Sequence, residues 1–278
     1  MENPVTIILI SFNTVHKTRQ CLDLLIKLTN VPFHIWIVDN ASTDGSRNML
    51  REYQQLNPSI LSVIENEKNF GYAPAVNQVY PHLDAISDLC YVNSDVYVGP
   101  QWIMRLQHHL THDSQIAAVA PIGRGIGGRQ DMISYQLPQS NFAYSEIALA
   151  EVNSHLAQIT PCAMTTKNLQ GTLLYVRRAA HDHIGGLDPG CAYGADDADW
   201  CLRARLAGWK LTLALDTFVW HDNHSSFHLL SDLGKSRIDR SWAHFNHKWT
   251  GHFEGMTWTD LMENQVPTAR PFYQHEEF

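Results

Sequence analysis

The stretch VTIILISFNTVHKTRQCLDLLIKLTNVPFHIWIVDNASTDGS, residues 5–46, decides the fold. A β-branched run at 5–12 and a second at 34–39 flank a segment in which Cys21, Leu24, Leu25 and Leu28 recur at i, i+3, i+4 and i+7. That spacing lines up one apolar face on a helix, which can cover a sheet. Strand, amphipathic helix and strand in succession make a parallel crossover unit, so an α/β fold with a mostly parallel, helix-flanked sheet is expected.

The pattern continues in both chemistry and period. Met49, Tyr53 and Leu56 repeat the helical face, strands are expected at 60–65 and 88–93, and a short helix is expected near Pro74, which is tolerated in a first turn. A helix over 100–110 shows Trp102, Ile103, Leu106 and Leu110 on one side, followed by a strand at 116–120. From 121 to 168 periodicity is lost and a long loop region is expected, with one short helix around 144–156. Order returns as a strand at 169–176, a helix at 196–207 closed by Gly208, strands at 210–215 and 217–220, a mostly helical stretch at 227–249 and a tail. With neither repeats nor a linker, residues 1–278 are read as one domain, with a donor-binding half (1–99) and an acceptor-binding half (100–278) that carries the C-terminal helical segment.

The net charge of -8 disfavours a nucleic-acid partner, which would need a broad basic face. No apolar run approaches the ~20 residues of a membrane-spanning helix, and no signal peptide precedes residue 5, so a cytoplasmic protein is expected, with peripheral membrane contact left open. Cys21, Cys90, Cys162, Cys191 and Cys201 lack CxxC spacing and read as reduced packing residues.

Four polar segments are assigned to the C-terminal ends of strands, where open α/β sheets bind ligands. They are SFN (Ser11, Asn13), VDNASTDGS (with Asp39), NSD (Asn93, Ser94, Asp95) and ADDAD (Asp196, Asp197, Asp199). Asp39 can accept from a base N–H or a ribose hydroxyl, although Asp39, Asn40, Ser42 and Asp44 also suit turns and caps. Asp95 is placed where a hard divalent cation could join it to phosphate oxygens. Asp196, Asp197 and Asp199 open a helix whose dipole favours acids, yet three exceed what a cap needs. Residues i and i+2 lie about 200° apart on a helix, so Asp197 and Asp199 cannot both face one small substrate. His221 ends a strand and suits Mn2+. His108, His109 and His112 read as a solvated helix end. The GxGxxG match at 123–128 arrives too late and lacks a following helix, so it reads as a lid, with Arg124 or Arg129 available to phosphate.

In order, these segments resemble the family 2 glycosyltransferases of the GT-A fold, particularly bacterial polysaccharide-building, rhamnosyltransferase-like members. The resemblance covers about residues 5–221 and is most specific in VDNASTDGS, NFGYAPAVNQ (69–78), YVNSDV (91–96) and GTLLYVRR...GGLDPG...YGADDADWCLRARLAGWKL (171–211). It implies nucleotide-binding roles for Ser11, Asn13 and Asp39, and donor-site roles for Asn69, Gly71 and Asn77. The Asp-x-Asp motif maps onto Asn93, Ser94 and Asp95, with Asn replacing its first acid and Asp95 left to hold Mn2+ or Mg2+. The Glu-Asp pair matches Asp196 and Asp197, which makes Asp197 the general base; Asp199 and Gly171 fall on the acceptor side. A late metal-binding His matches His221, with His224 as the alternative. The implied reaction is an inverting displacement, from a nucleotide-diphosphate sugar to a saccharide or lipid-linked saccharide hydroxyl. Competing readings are a sugar-phosphate nucleotidyltransferase, which would want a basic Gly-rich loop after the first strand, and a catalytically silent nucleotide-sugar-binding protein.

Overall fold

Ile7, Ile8 and Leu9 are all fully buried, so both faces of the first strand are covered, as a parallel strand between helix layers requires. The computed structural model describes residues 3–132, 144–158, 162–222 and 232–250. Strand β1 (Val5–Ser11) leads through α1 (Val15–Leu28) to β2 (Phe33–Asp39), then α2 (Ser46–Leu56), β3 (Leu61–Glu65), α3 (Tyr72–Asn77) and β4 (Asp88–Asn93). Strands β1 to β4 pair in parallel in the order β3-β2-β1-β4. Cys21, Leu22, Leu24 and Leu25 of α1 are buried against this sheet.

The second half adds a short β5 (Val96–Val98), α4 (Trp102–His112), β6 (Ile116–Arg124), α5 (Glu146–Leu156), β7 (Ala163–Thr166), β8 (Leu173–Val176), α6 (Arg178–Ile184), α7 (Asp196–Leu206), β9 (Lys210–His221) and α8 (Asp232–Trp249). The sheet order becomes β3-β2-β1-β4-β8-β6-β9-β5, with β7 beside β9, and β8 antiparallel to both neighbours. This is the GT-A fold.

Several expectations are corrected. The supposed loop from 121 contains the end of β6, a 3-10 turn (Gly128–Gln130) and β7 besides α5. Strand β8 begins only at Leu173, because residues 170–172 turn into the cleft described below. The two late strands are one, β9, irregular where the register jumps from Pro121–Ala214 to Ile122–Phe218. Asn153 closes that bulge: its side chain donates to the Phe218 carbonyl at 2.8 Å and accepts the Phe218 N–H at 2.9 Å. All five cysteines are free thiols. No helix among the described residues is long and apolar enough to cross a membrane.

Candidate active site

A cleft of about 420 Å³ opens at the C-terminal ends of β1 and β4. Ile10, Phe12, Asn40, Asn69 and residues 93–95 form one wall; residues 170–172, 192–197, Gly125, His221 and Trp242 face them. Asp95 and Asp197 therefore border one cavity. Among the described lining residues are three aspartates and no Lys or Arg.

Backbone pairing brings Asp95 to His221. β4 turns through Ser94 and Asp95 into β5, which runs antiparallel to β9 with Val96 opposite His221, and the Asp222 N–H donates to the Asp95 carbonyl at 2.9 Å. Asp95 Oδ1 then lies 3.2 Å from His221 Nε2, while His221 Nδ1 is 2.8 Å from the Gly125 carbonyl. That carbonyl fixes the ring and leaves Nε2 toward the carboxylate. Burial opposes the imidazolium, but the hydrogen bond and charge of Asp95 outweigh it and raise the His221 pKa. One carboxylate oxygen and one imidazole nitrogen on the cleft wall, drawn together around a proton, form a donor set that a Mn2+ or Mg2+ ion would also satisfy.

The three aspartates of α7 divide. Asp197 lines the cleft; its Oδ2 accepts the Gly171 N–H at 2.8 Å and its Oδ1 the Ala198 N–H at 2.7 Å. Burial raises its pKa against the pull of these backbone donors. Asp196 also lines the cleft, and burial with the neighbouring charges of Asp197 and Asp199 raises its pKa well above the usual carboxylate range. Asp199 belongs elsewhere: it is fully buried, 2.7 Å from Arg203, 2.6 Å from Lys248 and 3.0 Å from the Trp249 indole nitrogen. Its acceptor-side assignment is corrected, as is the placement of this motif after a strand. It follows a 3-10 turn (Pro189–Cys191) and starts from Ala195 in the left-handed region, at φ 64°.

Four donor-side residues lie outside the cleft lining. Asn13 accepts from Thr43 N at 2.7 Å while Ser42 Oγ accepts from Asn13 N at 3.0 Å, so the first two loops are laced together. Ser11 is buried against Thr18. Asn77 fastens the Leu187 backbone through both ends of its amide. Asp39 is fully buried with Oδ2 held by Arg47 Nε at 3.0 Å, and its Oδ1 has no hydrogen-bond partner. In this structure these residues support the wall, with Asn13, Asn77, Ser11 and Asp39 Oδ2 held by partners from the chain itself. Asn69, Gly71, Asn93, Ser94 and Gly171 do line the cleft. Gly71 must be glycine: φ is 89°, and a Cβ would come 2.5 Å from the Ala192 carbonyl oxygen.

The Gly-rich loop contributes Gly125 and Gly127 to the cleft, but Arg124 stacks on the Trp220 ring, 4.4 Å from its centroid, so its phosphate assignment is corrected. His109 is not solvated; it is buried 2.9 Å from Asp216. His109, Cys162 and Asp216, and likewise Asp188, Cys191 and His244, group ligand atoms closely, but neither group borders the cleft. His224 lies outside the described residues.

Sequence reasoning overlooked Asn40, Tyr193 and Trp242. Asn40 donates to Asn69 Oδ1 and the Gly71 carbonyl and accepts from Asn66 and Phe70 N, joining two cleft loops. Its place beside Asp39 was a signal; Trp242, 45 residues after Asp197 on another helix, offered none.

The fold and the cleft define a GT-A glycosyltransferase. The chain belongs to glycosyl transferase family 2, whose profile matches residues 6–172. It is 22% identical over 240 residues to the glycosyltransferase AglE of Haloferax volcanii, covering 84% of this chain and 73% of that protein. The identity is also 22%, with 80% and 76% covered, to the N-acetylglucosaminyl-diphospho-decaprenol L-rhamnosyltransferase of Mycobacterium tuberculosis. Among solved structures, the mannosyltransferase PcManGT of Pyrobaculum calidifontis, in complex with GDP-Man and Mn2+, superposes with a TM-score of 0.63 at 17% identity. GalNAc-T7 with UDP, GalNAc and Mn2+ gives 0.61 at 18%. This chain spans 65% and 44% of those two proteins, and both likenesses show the fold.

Proposed function

We propose that this glycosyltransferase moves a hexosyl or deoxyhexosyl group from a nucleotide-diphosphate sugar to a hydroxyl of a saccharide or lipid-linked saccharide, with inversion. The observation that carries the reading is the convergence of Asp95 with His221 and of Asp197 on one cleft. A diphosphate in a cavity whose described lining holds three aspartates and no Lys or Arg would meet like charge unless a cation came with it. Asp95 and His221 would hold that Mn2+ or Mg2+ ion, which when bound neutralises charge developing on the diphosphate. The Mn2+ in both structural neighbours, GDP-Man in one and UDP in the other, and the decaprenol-linked sugar in the mycobacterial relative's name all support this.

Asp197 acts as the general base. Its carboxylate is held by Gly171 N–H and Ala198 N–H and takes the proton of the acceptor hydroxyl. The acceptor oxygen bonds to the anomeric carbon as the bond to the diphosphate breaks on the opposite face, and the bonding electrons leave with the nucleoside diphosphate. The raised pKa of Asp197 brings the base nearer to working pH, where such transfer is efficient.

The experiment is release of nucleoside diphosphate from UDP-, GDP- and dTDP-sugars, with Mn2+ or with EDTA. One donor should turn over with metal only. Asp197→Asn should lower turnover by about 10²-fold or more while binding the nucleotide. Normal turnover by that variant would remove Asp197 from the mechanism, and a protein that binds nucleotide but never releases diphosphate would be a silent binder.

A further inference from the structure

Residues 170–172 line the cleft and link the base to the Asn93–Asp95 motif through their backbone. The Gly171 N–H donates to Asp197 Oδ2 at 2.8 Å, and the Thr172 carbonyl accepts the Asn93 N–H at 3.0 Å. A further tie comes from a side chain that is not part of the lining: Gln130 Oε1 accepts the Gln170 N–H at 2.5 Å. Gln130 ends the 3-10 turn Gly128–Gln130 and is buried. Its Nε2 donates to the Pro121 carbonyl at 3.1 Å, so one amide spans from β6 to the cleft segment and is oriented by both of its ends. Gly127 and Gly128 lie against the Gln170 side chain, where an added Cβ would stand 3.9 Å from it. The Gly-rich loop and the turn after it therefore pack on the segment that holds the base.

We propose that Gln130 is a positioning residue for the transfer: through Gln170 it fixes Gly171, and through the Gly171 N–H it aims the Asp197 carboxylate. The proposal deepens the transferase reading and rests on it. Residues 170–172 belong to no helix or strand, so anchors of this kind set where they lie. Without the Gln130 oxygen, the N–H of the half-buried Gln170 would turn toward water, and Gly171 would move with it. Glycine at 171 has no side chain to resist that shift. A small displacement of a catalytic group costs rate steeply, whereas the nucleotide does not depend on where the base points.

The test is steady-state release of nucleoside diphosphate by the full chain, from whichever UDP-, GDP- or dTDP-sugar the unmutated protein turns over with Mn2+. Gln130→Met keeps the length of the side chain and removes both hydrogen bonds. Its kcat should fall about tenfold while KM for the donor sugar changes by less than about twofold. Gln130→Glu, ionised or neutral, keeps an acceptor for the Gln170 N–H and should recover part of that rate. In the Asp197→Asn background, Gln130→Met should cost less than about twofold, because the group it aims is already gone. Four results overturn the proposal: an unchanged kcat in Gln130→Met, a rise in donor KM in place of the fall in kcat, full additivity with Asp197→Asn, or a Gln130→Glu protein no faster than Gln130→Met. Failure of both single variants to fold would also overturn it, by making Gln130 a packing residue. No diphosphate release by the unmutated protein would instead sink the transferase reading itself.

Discussion

Asp199 Oδ1 accepts the indole N–H of Trp249 at 3.0 Å, and this contact joins the helix that carries Asp197 to the last described helix of the chain. Lys248 strengthens the joint, with Nζ 2.6 Å from both Asp199 and Asp188. Lys248 and the Gly190 N–H hold Asp188 down to a pKa of about 2 even though burial opposes its charge. The third acid of the ADDAD motif thus organises α8, and through α8 it places Trp242 in the cleft.

Asp199→Ala removes a fully buried carboxylate, leaving Arg203 without its anion and Lys248 with Asp188 alone. Losing one member of a buried ion pair costs about 3–5 kcal/mol, and the lower end applies here because both cations can reach water. Chemical unfolding should show that loss, and limited trypsin digestion should cut α8 first. Unaltered stability together with unaltered protease resistance would contradict the joint.

Gly171→Ala tests how Asp197 is aimed. The new Cβ would sit 3.3 Å from the Asp197 Cβ, so the carboxylate must shift by a few tenths of an ångström, while the backbone N–H that holds it is kept. Turnover should fall about tenfold, since small displacements of a catalytic group are expensive in rate. Nucleotide affinity in the presence of Mn2+ should not change. A fall in affinity without a fall in turnover would show that Gly171 serves the donor.

Much of the fold was legible, because hydrophobic period alone separates β1, α1 and β2, and β4 begins and ends where expected, at Asp88 and Asn93. The lining of the cleft was legible where a side chain and its motif coincide, as at Asp95, Asp196 and Asp197. It was not legible where tertiary contacts override local pattern. Asn13 and Asp39 have the residue types of ligand contacts, yet Thr43 N and Arg47 already engage them. His109 lies in a polar helix end, yet it is buried against Asp216, 107 residues away. Trp242 has no local mark because it reaches the cleft only when α8 docks.

Asp196 and Asp197 give stability a pH dependence. Their folded pKa values lie above the ordinary carboxylate value, Asp196 through burial and the adjacent charges, Asp197 through burial. The folded state therefore binds these protons more tightly than the unfolded chain does. Their stabilising contribution is complete below about pH 4 and is lost as pH rises through the raised values. Asp196→Asn removes one buried charge, so its melting temperature should exceed that of the unmodified protein by roughly 2–4 °C at pH 8. The gap should close near pH 4, and a gap that widens toward acid would reverse the sign of the argument.

Asn153 links a distant helix to the candidate metal pair. It is 1% exposed, its side chain satisfies both the N–H and the carbonyl of Phe218, and it donates to the Leu149 carbonyl as well. These bonds close the β9 bulge three residues before His221, so they set the register in which Val96 faces His221 and Asp95 lies 3.2 Å from its ring. Asn153→Ala strands two buried backbone groups and should lower stability by about 2–3 kcal/mol. Asn153→Asp keeps an acceptor for the Phe218 N–H and loses the donors, so it should fall between. If the bulge aims His221, both variants should also weaken Mn2+ binding measured by paramagnetic relaxation of water, in the same order as their loss of stability. A destabilised Asn153→Ala protein with undiminished Mn2+ affinity would confine Asn153 to holding the sheet.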